Sequence, residues 1–364
     1  MKAPRQAGNF DPLLACVKAR WTYRDLSAIL KSEDIAPTKG YGWDALHDHF
    51  NGADAALAAK ATKVLSDLIG DLALAGTKDV HIFELSASSV QGIAAAMAAI
   101  VPPSQGVYKL AYPMPLREAA LKVMSTDHEL SATVHRPNGD VSLVLCARRT
   151  AEERNRYQFS QVTAAVKQAF SDVDEIITIK KTDYQVFDVL TVRPRLERIE
   201  VLVDQPELLR GKETSEMRCL SILGRAQTLV PGLAPLYETN SPLNLYPCIN
   251  AIYRTATEGR VAKMSFRSPT DSKKREEMTS EKDLRSEPFH AAGVQKVGDI
   301  TPYDITVIWD FLSQNISGGS GVQIGMPITG LSSETQNVRH ARILNARSDT
   351  SLVAIVNKLV SYST

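Results

Sequence analysis

TAEERNRYQFSQVTAAVKQAFSDVDEIITIKKTDYQVFDVLTVRPRLERIEVLVD, spanning Thr150–Asp204, holds the strongest structural pattern in the chain. Thr150 with Glu153 three residues on has the form of a helix-capping box. Phe159, Val162, Val166, Ala169 and Phe170 recur at helical spacing, which predicts an amphipathic helix with that face buried. Asp172 to Asp174 interrupts it. Three β-rich runs then predict strands at Glu175–Lys180, Val186–Val192 and Glu197–Asp204, the last two joined through Arg193-Pro194-Arg195. On the last run Ile199, Val201 and Val203 alternate with Arg198, Glu200, Leu202 and Asp204, an amphipathic strand with ion pairs on its solvent face.

Working outward, Ser131–Arg149 reads as a β-hairpin turning at Asn138-Gly139, a dipeptide suited to a type I′ turn. Its second strand, Val141–Ala147, is apolar enough to be buried on both faces. Val80–Leu85 predicts a strand, Ser88–Ile100 a helix, Val107–Tyr112 a short strand and Leu116–Met124 a helix. Residues 1–75 read as helical, with Ala55–Leu74 the clearest stripe. Pro206–Val230 predicts a helix burying Leu208, Leu209, Met217, Leu220 and Leu223. Pro231-Gly232, Pro235, Pro242 and Pro247 mark a junction, after which Gly259–Arg267, Pro302–Phe311 and Arg339–Leu344 look like strands. Leu352–Val360 reads as a closing element, strand or helix. The fold class expected is mixed α/β of the α+β kind. Its parts are a helical region over 1–75, a central mixed sheet with packed helices over 76–235, and a β-rich region over 236–364.

Composition narrows the function. The chain has 364 residues, 44% hydrophobic and 23% charged, which is globular rather than disordered. A formal net charge of +1 gives no global field towards nucleic acid or membrane, so such binding needs a local patch. Cys16, Cys146, Cys219 and Cys248 show no CxxC spacing, which argues against a zinc site or a disulfide framework and fits reduced thiols in a cytoplasm. No apolar run reaches the ~18 residues of a membrane span. The start, Met1-Lys-Ala-Pro-Arg-Gln, lacks the apolar core of a signal peptide. The expected location is cytoplasmic, with no membrane partner.

Five stretches bear residues of chemical interest. Glu84-Leu-Ser-Ala-Ser-Ser-Val-Gln-Gly92 leads from a strand into a helix. Neither a nucleophile elbow nor a Walker motif is present, so Ser88 reads as a cap closed by Gln91. Asp44, His47, Asp48 and His49 are metal-ligand types, but positions two apart on a helix diverge, and solvated polar residues account for them. Asp188 and Glu200 lie on neighbouring strands and offer the acids of a metal-dependent nuclease or other hydrolase; the lysine such a site usually has is replaced by Leu202. Gly318, Gly319, Gly321 and Gly325 lack the lysine of a phosphate loop and read as a flexible connection, and His290 stands alone.

The fifth stretch carries the functional expectation. Lys263, Ser265 and Arg267 share one strand face, and Ala262, Met264 and Phe266 the other. Lys273, Lys274 and Arg275 follow a turn at Ser268–Ser272 and are expected on an exposed, poorly ordered tip. These five cations form a local patch for phosphates or an acidic protein, although Glu276, Glu277, Glu281 and Asp283 dilute it. No catalytic or cofactor motif competes with this. The reading is a non-catalytic binding or adaptor subunit of a cytoplasmic assembly, with a protein partner, a nucleic acid or both. Bacterial antiviral defence or nucleic-acid processing is the setting it suggests. The alternative is a hydrolase using Asp188 and Glu200.

Overall fold

Residues 10–18, 20–170, 173–205, 214–238, 240–309 and 319–363 are described by a computed structural model of the chain. The N-terminal part is helical. Helices α1 (Asp11–Lys18), α2 (Tyr23–Ser32), α3 (Trp43–Asn51) and α4 (Ala55–Leu74) gather around Leu26, Leu30, Leu46, Phe50 and Leu65. α4 begins where the Asp54 carboxylate accepts from the Leu57 N–H at 2.8 Å, satisfying one of the donors a helix start leaves open.

Beyond α4 the chain runs through β1 (Gly76–Glu84), α5 (Ala87–Ala98), α6 (Val107–Ala111), α7 (Glu118–Leu121), β2 (Glu129–His135), β3 (Val141–Gln158), α8 (Ala164–Ala169), β4 (Glu175–Arg193) and β5 (Arg198–Asp204). It continues through α9 (Ser215–Leu229), α10 (Ala234–Glu238), α11 (Tyr246–Arg254), β6 (Arg260–Arg267), β7 (Lys273–Glu277), α12 (Pro288–Val297), β8 (Thr301–Trp309), β9 (Ser320–Gly325), β10 (Ala341–Ala346) and α13 (Asp349–Tyr362). The described strands form one ten-stranded sheet in the order β2-β3-β4-β5-β1-β10-β9-β8-β6-β7, antiparallel at every pairing. The fold is therefore α+β. β1 and β10 join the strands of residues 76–204 to those of residues 260–346.

Coverage of the sheet is unequal. One face of the β2–β1 half lies under α5 and α9, where Val90, Ile93, Ile222 and Leu223 pack on Leu143, Leu190, Ile199 and Val201. The other face is covered except over the outer parts of β3 and β4. Ala73 of α4, Tyr108 of α6 and Leu121 of α7 meet Val144, Cys146 and Phe187, while α11 and α13 bury Met264, Ile305, Val322 and Ile343. Over β10, β9, β8, β6 and β7 the first face has no helix on it among the described residues.

Several expectations are corrected. Residues 150–158 extend β3, pairing residue by residue with β4 from Thr150↔Asp183 to Gln158↔Glu175, so the predicted helix shrinks to α8 at the tip of a long arm. The capping pattern is used otherwise: the Thr150 hydroxyl donates to Asp183 at 2.6 Å. The β-branched run Ile176–Ile179 favours a strand, and its partner lies only a tip away. Accordingly Phe159, Val162 and Val166 are half-buried and Phe170 is 55% exposed, rather than all four buried. The runs 175–180 and 186–192 are one strand. All of β5 is buried, so its charged side is no solvent face.

Val107–Tyr112 is helical instead of extended, because a short apolar run does not distinguish the two and Tyr108 is drawn into the core beside Val144. α7 is far shorter than the predicted helix. In α9 the buried stripe is Cys219, Ile222, Leu223 and Ala226; Met217 and Leu220 are exposed, and Leu208 and Leu209 lie outside the described residues. The hairpin between β2 and β3 is present. Its loop is Pro137-Asn138-Gly139, with Arg136 N–H donating to the Asp140 carbonyl and Gly139 alone at positive φ, 91°. Proline cannot take the positive φ of a type I′ turn but suits the first corner of a type I turn.

Candidate functional site

β6 is pinned between β8 and β7. Val261, Met264 and Phe266 are buried in the core beneath it, with Ala262 at an irregularity between Val261 and Lys263. The chain turns at residues 268–272, where Ser268 N–H donates to the Ser272 carbonyl and Asp271 takes positive φ. Lys273, Lys274 and Arg275 are not on this turn. They belong to the edge strand β7, paired as Arg267↔Lys273, Phe266↔Lys274, Ser265↔Arg275 and Lys263↔Glu277. Cross-strand partners share a face. Lys263, Arg267, Lys273 and Arg275 therefore stand together on the uncovered side of the sheet, and Lys274 stands opposite with Phe266.

Neighbouring strands widen this face. Thr306 is opposite Lys263, Asp304 opposite Ser265, Gln323 beside Thr306, and Arg342 beside Gln323. Arg342 donates to the buried Asp79 at 2.8 Å yet keeps 44% of its side chain exposed. Gly321 and Gly325, read as a flexible connection, are strand residues that keep the face flat. A Cβ at Gly325 would sit 2.3 Å from the Asp304 carboxylate, and one at Gly321 2.5 Å from Ile308. Gly318 lies outside the described residues. The pairs Arg267–Asp271 at 3.7 Å and Arg275–Glu277 at 3.5 Å are exposed and contribute little. Lys263 and Lys273 have no carboxylate partner among the described residues. Gln323 donates to one oxygen of Asp304 at 3.0 Å, and the second, Oδ1, is buried with no donor among the described residues.

The structure does not bring Asp188 and Glu200 together. Asp188 is the cross-strand partner of Leu145, on the face under α5 and α9, whereas Glu200 is opposite Thr191 and Ile82 on the other face. Each is enclosed in its own charge cluster. Asp188 accepts from His128 and Arg218, both at 2.8 Å, and from the Asp204 N–H at 2.7 Å. Glu200 accepts from Arg193 and Arg198, both at 2.8 Å, and Arg193 also donates to Asp140 and Asp349. Every oxygen of these two carboxylates already has a buried donor.

Asp204, which the sequence reading placed on a solvent face, closes the first cluster. It accepts from Arg20 and from the Phe187 N–H, both at 2.9 Å, and lies 3.4 Å from Lys78. β4 and β5 stop pairing beyond Val189↔Leu202, and there the two carboxylates replace ladder carbonyls as acceptors. Burial pushes the Asp188 carboxyl up, but Arg218 and His128 outweigh it and hold it well below the usual range. Burial likewise opposes Arg20 and Lys78 at Asp204, which is also held down. No short-range signal marks this cluster, because its members come from the end of α1, the residue before β2, three strands and α9.

The remaining stretches are structural. Ser86, not Ser88, caps α5, accepting from the Ser89 N–H at 3.3 Å. His47 is bonded to Asn51 within α3, and His49 stacks on Phe50. Among the described residues no group of three or more His, Cys, Asp or Glu side chains is arranged to hold a metal ion. His290 is buried between the Tyr253 hydroxyl at 3.0 Å and Glu276 at 2.5 Å, fastening α12 to β7. All four cysteines are buried thiols. His81 of β1 borders a cleft of about 110 Å³ beside Glu216 of α9 and Arg339. No described helix is long and apolar enough to cross a membrane. No family model and no curated protein matches the chain.

Proposed function

We propose that the chain is a non-catalytic binding subunit whose uncovered half-sheet contacts the phosphate backbone of a nucleic acid. The observation that carries this is the gathering of Lys263, Arg267, Lys273 and Arg275, with Arg342, on one face with no helix over it among the described residues. Cations at strand spacing on a flat face match phosphates along an extended backbone, and such contacts position a nucleic acid without reading its sequence. The hydrolase alternative lacks such support, since its two acids are internal and on opposite faces.

The test is fluorescence anisotropy of labelled duplex DNA and single-stranded RNA with two variants. Changing Lys263, Arg267, Lys273 and Arg275 together to Gln should lower affinity at least tenfold at fixed low salt. Lys274→Gln, on the opposite face, should leave it within about twofold of wild type, because one screened charge off the contact surface has a small effect. Equal losses for both, or none for either, overturn the proposal. If the quadruple variant loses only a protein partner, the face is an acidic-protein docking surface instead.

A further inference from the structure

A second surface lies at the root of the β3–β4 arm. We propose that the free edge of β4 accepts an extended acidic peptide segment of a partner protein as an added strand. β4 keeps an unbroken register with β3 from Glu175↔Gln158 to Val192↔Val141. Its backbone groups therefore alternate sides with a period of two. Phe187 sets the frame: its N–H donates to the Asp204 carboxylate and its carbonyl accepts from Lys78 at 2.6 Å, both away from β3. The same side belongs to Gln185, Asp183, Lys181 and Ile179. The Gln185 carbonyl is met by Arg20 at 3.5 Å. The N–H and C=O groups of 183, 181 and 179 on that side have no backbone partner among the described residues.

This edge opens into a cleft of about 920 Å³, whose opposite wall is formed by the end of α1 and by residues 115–122. Residues 180–185 give it an edge of about 20 Å at 3.3 Å per residue. Two features select the occupant. The edge offers donors and acceptors in alternation, which a peptide strand satisfies and a phosphate, an acceptor only, does not. The walls carry Arg20, Lys122, Arg148, Lys180 and Lys181; Arg20 is tied to the buried Asp204, while Lys122–Glu118, Arg148–Asp183 and Lys181–Glu152 at 3.6 Å are solvent-facing pairs that an acidic strand can share. Lys180 has no carboxylate partner among the described residues. Further along the arm Ile177 and Ile179, each 51% exposed, share a face with Lys181, so on that face the occupant's residues are apolar opposite the isoleucines and acidic opposite Lys181.

The test uses a fluorescein-labelled octapeptide with Val and Thr alternating over one half and Glu over the other, titrated with the full chain by anisotropy. N-methylation of alternate residues, made in both frames, removes the N–H row on one peptide edge or the other. Saturable binding weakened at least tenfold in at least one frame is expected. Lys180→Ser with Lys181→Ser should weaken binding several-fold. Lys181→Pro, which deletes an N–H on the free edge while sparing the β3 ladder, should weaken it more than Lys181→Ala. If Lys181→Pro fails to fold, the N-methylated peptides decide alone. Absence of saturable binding, indifference to N-methylation in both frames, or displacement of the peptide by an equally charged oligothymidylate that itself binds more tightly overturns the proposal. Running the peptides also on the Lys263/Arg267/Lys273/Arg275 variant separates this edge from the open sheet face.

Discussion

Glu200 shows what a single residue's surroundings decide. Its alternation with Ile199 and Val201 gives an amphipathic strand, and that much is readable from the chain. What is not readable is that both faces of β5 are covered, because the covering elements come from residues far away in sequence. Enclosed between Arg193 and Arg198, the carboxylate cannot be removed without leaving the buried Arg198 guanidinium with no carboxylate and taking from Arg193 one of its three. Glu200→Ala should destabilise the fold by about 3–5 kcal/mol, measured by urea unfolding; a change under 1 kcal/mol would contradict the burial. His81 gives the pH dependence. Burial first, and then His340, pushes its pKa from 6.5 down to about 4. The folded state thus binds fewer protons than the unfolded state between these values, so stability rises with pH across that window and is lost as pH falls through it. The contribution is roughly 3 kcal/mol. The difference in unfolding free energy between pH 7 and pH 4.5 should shrink in His81→Gln; an unchanged difference would assign the dependence to other groups.

Among the elements, the β3–β4 arm separates local from long-range information. Asn138-Gly139 marks its base hairpin with β2 because a glycine must supply the positive φ at the turn. The Ile176–Ile179 run announces a strand. Residues 150–158 do not, since Thr150, Glu153 and Phe159 fit a helix equally well and only the partner strand decides. The distal arm therefore packs little: Phe170 is 55% exposed, while Leu190, in the same strand as Ile176, is fully buried. Phe170→Ala should change stability by no more than about 0.5 kcal/mol. Leu190→Ala should cost about 2–5 kcal/mol. Thermal or urea unfolding of the two variants checks the contrast, and similar losses would mean that the arm tip is packed.

At the scale of the whole molecule, the junction of β1 with β10 makes one sheet of two differently covered halves. The first half spends both faces on cores, which is why its acids are internal. The second spends one face on a core and leaves the other to solvent. The parity of Lys263, Ser265 and Arg267 was readable in the sequence. The strand character of Lys273–Arg275, the position of Lys274 on the far face and the open half-sheet were not, because they depend on the β6–β7 register and on where the helices pack. The central claim is that this face meets phosphates, and counterion release tests it most directly. The slope of log affinity against log salt should be measured for single-stranded RNA with the wild type and with the variant in which Lys263, Arg267, Lys273 and Arg275 are Gln. Four lost phosphate contacts at about 0.7 each should flatten the slope by roughly 3 units. Parallel lines for the two proteins would contradict it.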